Sequence, residues 1–266
     1  MNRIGQYLAC ALFVMMAMWA PAVSHAQSPF DGTWQLNLTQ AKFSPKPNIF
    51  YLSQGWFHCV SCDPSYDVQA DGQDHAVTGH AFDAVSVTVV DPKTITLIVK
   101  KSGKVISEQT RTVSANRKTL TVKTTIHPMN SDNPVTNEIT ATMIGVAPLG
   151  VHATSGSWKV AKVSVSENGT SITYKTNGDE FSMSDPTGAS YTAKLDGQDY
   201  PVKGAYGYDT VSLKKIDAHT IEETDKRAGT VVDVSKMTVS ANGKTMTIVD
   251  TSKPSDRTST ITATKK

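Results

Sequence analysis

Four side chains of this 266-residue chain have the types and spacing of a soft-metal site: Cys59 and Cys62, then His75 and His80. Two residues separate the cysteines, twelve separate Cys62 from His75, and four separate the histidines. Thiolate and imidazole are the ligands that tetrahedral zinc prefers, and this spacing fits a Cys2His2 template. The setting differs from a zinc finger, because the histidines follow a turn in a β pattern rather than lying on a helix. A lone cysteine pair in an exported chain is ordinarily oxidised, so Cys59 and Cys62 also read as a short-loop disulfide. A redox-active dithiol is a third reading, and it lacks the βαβ surroundings such motifs have. Haem attachment would need His after Cys62, where the chain has Asp63. The disulfide without a cofactor is the reading carried forward. Zinc on Cys59, Cys62, His75 and His80 is its alternative.

Around the cysteines lie Trp56, Phe57 and His58, in a stretch from Gly55 to Pro64 that reads as an irregular loop. Aromatic side chains beside a polar one suit a pocket lining or a sugar-stacking face. Tyr206 and Tyr208 flank Gly207 and form a second such candidate. Trp56, Phe57, His58, Tyr206 and Tyr208 are therefore the expected binding residues. No Gly-x-Ser-x-Gly, His-Glu-x-x-His, phosphate loop or dinucleotide fingerprint occurs, so no catalytic residue is assigned. A carboxylate pair acting across strands would leave no spacing signature.

The frame that must position these residues is built twice. Ser65–Gly79 returns as Ser190–Gly204 at an offset of 125, with eight of fifteen positions identical. Thr112–Val122 returns as Thr238–Ile248, again with eight identities. Gly32-Thr33-Trp34 matches Gly156-Ser157-Trp158, and Ile139–Thr142 matches Ile261–Thr264. A repeat of this length sets the domain count. The expected division is a signal peptide over 1–26, a first β domain over 28–144, a linker over 145–152 and a second β domain over 153–266.

Within each copy, apolar residues alternate with polar ones over short runs, as in half-buried strands. Val85, Val87 and Val89 are one such run, and Leu120, Val122, Thr124 and Ile126 another. Turn signals such as Asp71-Gly72, Asn177-Gly178 and Asn242-Gly243 separate the runs. The pattern predicts an all-β protein of two tandem antiparallel meanders, each closing into a barrel, with a sandwich as the alternative. Val105–Val113 is mostly polar and reads as an edge strand or a solvated face. The repeated Asp71-Gly72-Gln73-Asp74 and Asp196-Gly197-Gln198-Asp199 read as turns whose carboxylates bond their own backbone.

The first 26 residues have a basic start at Arg3, an apolar run and a small-x-small site at Ser24-His25-Ala26. They read as a cleaved secretory signal, which predicts a periplasmic or secreted protein. No later apolar run is long enough to span a membrane. The formal charge is +2, and loss of Arg3 leaves 25 basic against 24 acidic residues. A balance that small points to no nucleic-acid partner.

The two Gly-x-Trp starts resemble those of lipocalins. In that family the Trp plugs one barrel end and the other end receives an apolar ligand. Over nearly the whole chain after the signal, the Asp-Gly-Gln-Asp, Val-Ser-Ala-Asn-x-Lys-Thr and Gly-x-Trp elements are similar to a family of secreted bacterial proteins with a duplicated β domain. That resemblance implies the fold and no activity. Together these features predict a non-catalytic binding protein for a small apolar or amphipathic ligand, or for an envelope glycan. A secreted hydrolase using carboxylates or a bound metal is the first alternative, and a structural envelope protein is the second.

Overall fold

The structure is a computed structural model and describes residues 28–129 and 131–266. The expected signal peptide lies outside the described residues. The first ten strands are β1 (Gly32–Lys42), β2 (Asn48–Ser53), β3 (Trp56–Cys59), β4 (Tyr66–Gln69), β5 (His75–Ala76), β6 (Ala84–Asp91), β7 (Thr94–Lys101), β8 (Lys104–Val113), β9 (Thr119–Ile126) and β10 (Val135–Met143). The second ten are β11 (Gly156–Val165), β12 (Ser171–Asn177), β13 (Glu180–Ser184), β14 (Ser190–Lys194), β15 (Asp196–Pro201), β16 (Thr210–Lys215), β17 (Thr220–Arg227), β18 (Thr230–Val239), β19 (Thr245–Ser252) and β20 (Arg257–Lys265). Among the described residues no strand alternates with an α-helix, so the fold is all-β as the periodicity predicts.

The strands form two ten-stranded antiparallel sheets, each nearly closed into a barrel. One runs β4-β3-β2-β11-β10-β9-β8-β7-β6-β5, and the other β14-β13-β12-β1-β20-β19-β18-β17-β16-β15. The seam of the first is drawn together by a bridge between Asp71 and Thr88. The Gly72 amide adds a 2.9 Å bond to the Val87 carbonyl there. In the second, Ser190 and Lys203 exchange two 2.9 Å backbone bonds. Closure of this kind removes the exposed edges that a ten-stranded meander would otherwise present.

The opening strands are exchanged between copies. β1 lies between β12 and β20 of the second barrel, and β11 lies between β2 and β10 of the first. The two insertions are equivalent in register: Gly32 faces Tyr174, and Gly156 faces Phe50. The chain therefore passes between sheets over residues 43–47 and again over 166–170. The expected boundary at 145–152 falls elsewhere: that segment joins β10 to β11 within one sheet. Each copy is continuous in sequence, but each barrel takes one strand from the other copy. Sequence similarity identifies which segments are equivalent and carries no information on which equivalent slot each one fills.

Trp34 and Trp158 are fully buried, each in the barrel its strand has joined. Each indole donates to the carbonyl four residues upstream, Trp34 Nε1 to Phe30 at 2.7 Å and Trp158 Nε1 to Thr154 at 2.9 Å. The glycine two residues before each Trp has a positive φ, +122° at Gly32 and +147° at Gly156. That backbone suits glycine alone, which accounts for the fixed first residue of Gly-x-Trp.

The other repeated residues serve turns. Asp71 and Asp196 each accept the amide two residues on, at 2.9 Å. Asp74 pairs with Lys100 and Asp199 with Lys226, both at 2.6 Å. Asn116 and Asn242 each accept an amide at 3.1 Å in the loops before β9 and β19. The repeat is thus a record of hairpin chemistry.

A fragment spanning 150–266 carries β11 to β20 and lacks β1. Its own β11 is already held outward by the 166–170 crossing, so two fragments can exchange β11 reciprocally and rebuild both barrels. The fragment is expected to be a dimer by sedimentation, with β-rich circular dichroism. A folded monomer would show that β11 bends back instead into the vacant slot.

Candidate functional site

The stretch expected to be an irregular loop contains β3, and strand alternation sorts its residues. Phe57 and Cys59 face inward and are buried, whereas Trp56 is 42% exposed on the outside. His58 is also outside, its Nδ1 2.9 Å from Asp67 Oδ1. So Trp56 and His58 do not share a site with Phe57. The stretch also has a counterpart in the second copy, since Phe181 and Met183 on β13 occupy the places of Phe57 and Cys59. The sequence offset shifts by one residue at this point, which hides the match.

Cys59 and Cys62 lie at disulfide-bonding distance, with Cα atoms 5.4 Å apart. The alternative zinc set is not assembled. His75 Nε2 is 2.8 Å from Asp71 Oδ1, and His80 is stacked on Phe82 at 4.7 Å with Tyr66 edge-on at 5.2 Å. Burial holds His80 below the ordinary histidine range, and the Arg227 charge acts in the same direction. Among the described residues no group of three or more His, Cys, Asp or Glu side chains is arranged to hold a metal ion.

The first barrel holds a cavity of about 520 Å³ that is half open to solvent. Its walls come from inward-facing Leu120, Val122 and Ile126 on β9, Ile139 and Ala141 on β10, and Phe50 on β2. Trp158, on the exchanged strand, closes one part, and both cysteines line another. Tyr206 also lines it, arriving from the second copy, and its hydroxyl donates to the His127 carbonyl at 2.5 Å. Of the expected binding residues, Tyr206 alone touches this cavity. Tyr208, two residues on, instead lines a separate space of about 510 Å³ at the second barrel with Asp225, Asp233, Arg227 and Arg257.

Arg111 is the charged residue of the first cavity. It sits on β8, which lies between β7 and β9 and is therefore no edge strand. The polarity of β8 comes from Ser107, Gln109 and Arg111 turning toward the cavity. The guanidinium lies over the Phe50 ring at 4.7 Å and the Phe57 ring at 5.6 Å. Nε and Nη2 both donate to Gln109 Oε1, at 3.3 and 2.9 Å. Burial lowers its pKa, and the nearby Tyr66 opposes that shift. A guanidinium still keeps its proton at neutral pH. Among the described residues no carboxylate pairs with it.

The second barrel inverts this arrangement. Following the repeat, Leu97 and Val99 become Glu223 and Asp225, Ser107 becomes Asp233, Thr124 becomes Asp250, and Arg111 becomes Met237. Tyr191 donates to Glu223 Oε2, Ser235 donates to Asp250 Oδ1 at 2.6 Å, and Tyr174 donates to Met237 Sδ at 3.2 Å. Burial raises the pKa of Glu223, Asp225 and Asp233 toward or past neutrality. Next after burial, the Glu223 charge raises Asp225, and the Asp250 charge raises Asp233. One oxygen each of Asp225 and Asp233 is buried without a hydrogen-bond partner. Such a cluster is stable with protons shared among its members.

Sequence reasoning missed Arg111 and this cluster. The signal lay in comparing the copies at inward positions, where an apolar residue in one faces an acid in the other. Comparison with family models, curated proteins and solved structures finds no match to this chain.

The pH dependence has a definite sign. Glu223, Asp225 and Asp233 hold protons in the fold at pH values where the unfolded chain, titrating near pH 4, has lost them. Their stabilisation is full below about pH 4 and is lost as pH rises through the raised values. Melting temperature is therefore expected to fall between about pH 5 and pH 8, and Asp225→Asn to flatten the fall. A melting temperature that rose over this interval in thermal circular dichroism would contradict the assignment.

Proposed function

We propose that the chain is a binding protein that holds a small amphipathic molecule inside its first barrel. The observation that carries this reading is the cavity of about 520 Å³, lined mainly by apolar side chains, with Ser107, Gln109, Arg111, Thr124 and Asn137 as its polar part. That volume and lining are those of small-molecule sites. The second copy contributes to the same site through Trp158 and Tyr206, so the exchange of strands serves the pocket as well as the fold. The catalytic alternative would fall on the second barrel, where Asp225 and Asp233 line the space of about 510 Å³ beside Tyr208. It draws no support from the first cavity, whose lining includes no carboxylate among the described residues. A glycan is a poorer fit than an amphipathic molecule, because the exposed aromatic Trp56 stands alone on the outer face of β3.

A neutral fluorescent apolar probe such as N-phenylnaphthylamine is expected to bind the full chain. Ile139→Trp, which fills the cavity from β10, should abolish binding while leaving the far-ultraviolet dichroism unchanged. Undiminished binding in that variant would move the site elsewhere. Trp158 reports independently: its fluorescence should change on binding, and Trp158→Phe should remove most of the response.

A further inference from the structure

We propose that the ligand of the first barrel is an anionic amphiphile, a single apolar chain ending in a carboxylate or phosphate that docks on Arg111. The inference rests on the cavity reading above and specifies the ligand's charge. A buried charge is ordinarily paired, because leaving water without a counter-charge is costly. Arg111, part-buried at the cavity, has no such partner among the described residues: its hydrogen bonds go to one neutral oxygen, Gln109 Oε1. Nη1 donates to no described group, and the side chain lines the cavity. The Phe50 and Phe57 rings hold the guanidinium by its face and satisfy none of its N–H groups. What remains is a planar cation with free donors at an apolar cavity, the geometry that receives a carboxylate or phosphate in two parallel hydrogen bonds.

The walls specify the rest of the molecule. Arg111 pairs with Val122 across the ladder, and Val122 with Ile139; Leu120, Ala141 and Trp158 continue that apolar wall, whereas Ser107, Gln109, Thr124 and Asn137 line the other direction. A cationic ligand would meet like charge at Arg111. A neutral one would leave the guanidinium unpaired. The second barrel is a built-in control, with Met237 in place of Arg111 and acids at Glu223 and Asp225. Its interior offers such a ligand no cation at the equivalent position.

The experiment compares decanoate, decyl phosphate and decanol below their aggregation limits, each displacing N-phenylnaphthylamine from the full chain. At least one anion is expected to bind about tenfold or more tightly than decanol, and the tighter of the two identifies the head. Arg111→Met carries the residue of the second copy and should bring the anions level with decanol without weakening decanol itself. Arg111→Lys keeps the charge without the fork and should fall between. Equal binding of all three by the unaltered chain would overturn the anionic head and leave the cavity reading standing. Failure of all three and of the probe would remove the cavity reading, and this inference with it.

Discussion

The structure depends on the reciprocal seating of two opening strands. A ten-stranded barrel lacking one strand would expose two long edges and open its core to water. Each copy supplies the strand that closes the other, through equivalent registers at Gly32–Tyr174 and Gly156–Phe50. The exchange also moves each buried Trp into the partner barrel, where its indole N–H is satisfied by a carbonyl from its own approach segment. Large apolar area and a satisfied polar tip thus arrive together with the strand. The barrels are consequently not independent units in the sense that two tandem domains are. Loss of either opening strand removes a wall from the barrel built mainly by the other copy.

The crossings are reinforced by polar contacts that join the copies. Arg257 donates to the carbonyls of Lys46 and Pro47, and Lys46 pairs with Asp256 at 2.7 Å. Arg227 reaches the Gly79 carbonyl, and Gln35 bonds Thr170 within the second crossing. The ion pair is exposed and adds little stability by itself. The bonds to backbone carbonyls fix the path of the connecting segments, which leaves each opening strand one place to go. Tyr206 extends the same principle to the cavity, where a residue of one copy completes the lining of the other.

What the sequence made legible follows from the length scale of each feature. Strand periodicity and turn chemistry are local, so β6, β7 and β9 and the Asp-Gly and Asn-Gly hairpins stand out in the residue pattern. Duplication is legible because hairpin residues such as Asp71, Asn116 and their partners are held by the same turns twice. Strand exchange is not legible, because β1 and β11 fit either slot by construction. The cysteine pair was readable as a bonded pair, and the His75 and His80 spacing was coincidental with zinc geometry because the β frame points those rings elsewhere. β8 misled for a physical reason: a strand whose inner face lines a polar part of a cavity has the same composition as a strand whose outer face meets water. Only its place between β7 and β9 separates the two cases.

That ambiguity at β8 is also where the copies diverge. The frame tolerates very different interiors because its stability is carried by closure, turns and the Trp ends rather than by the middle of the barrel. At Leu97, Val99 and Ser107 the first copy keeps apolar or neutral side chains, with Arg111 nearby on β8. At the equivalent positions the second copy places Glu223, Asp225 and Asp233, with Tyr191 bonded to Glu223 and protons held by the acids. A buried cation and a buried acid cluster in one cavity would neutralise each other and leave no demand for a ligand. Segregated into separate barrels, they cannot: the acids hold protons, Glu223 takes a tyrosine hydroxyl, and the guanidinium keeps its charge near neutral pH. Duplication followed by opposite substitution at a few inward positions therefore leaves two equivalent barrels with opposite interiors, one with a guanidinium beside its cavity and the other with a cluster of proton-holding acids.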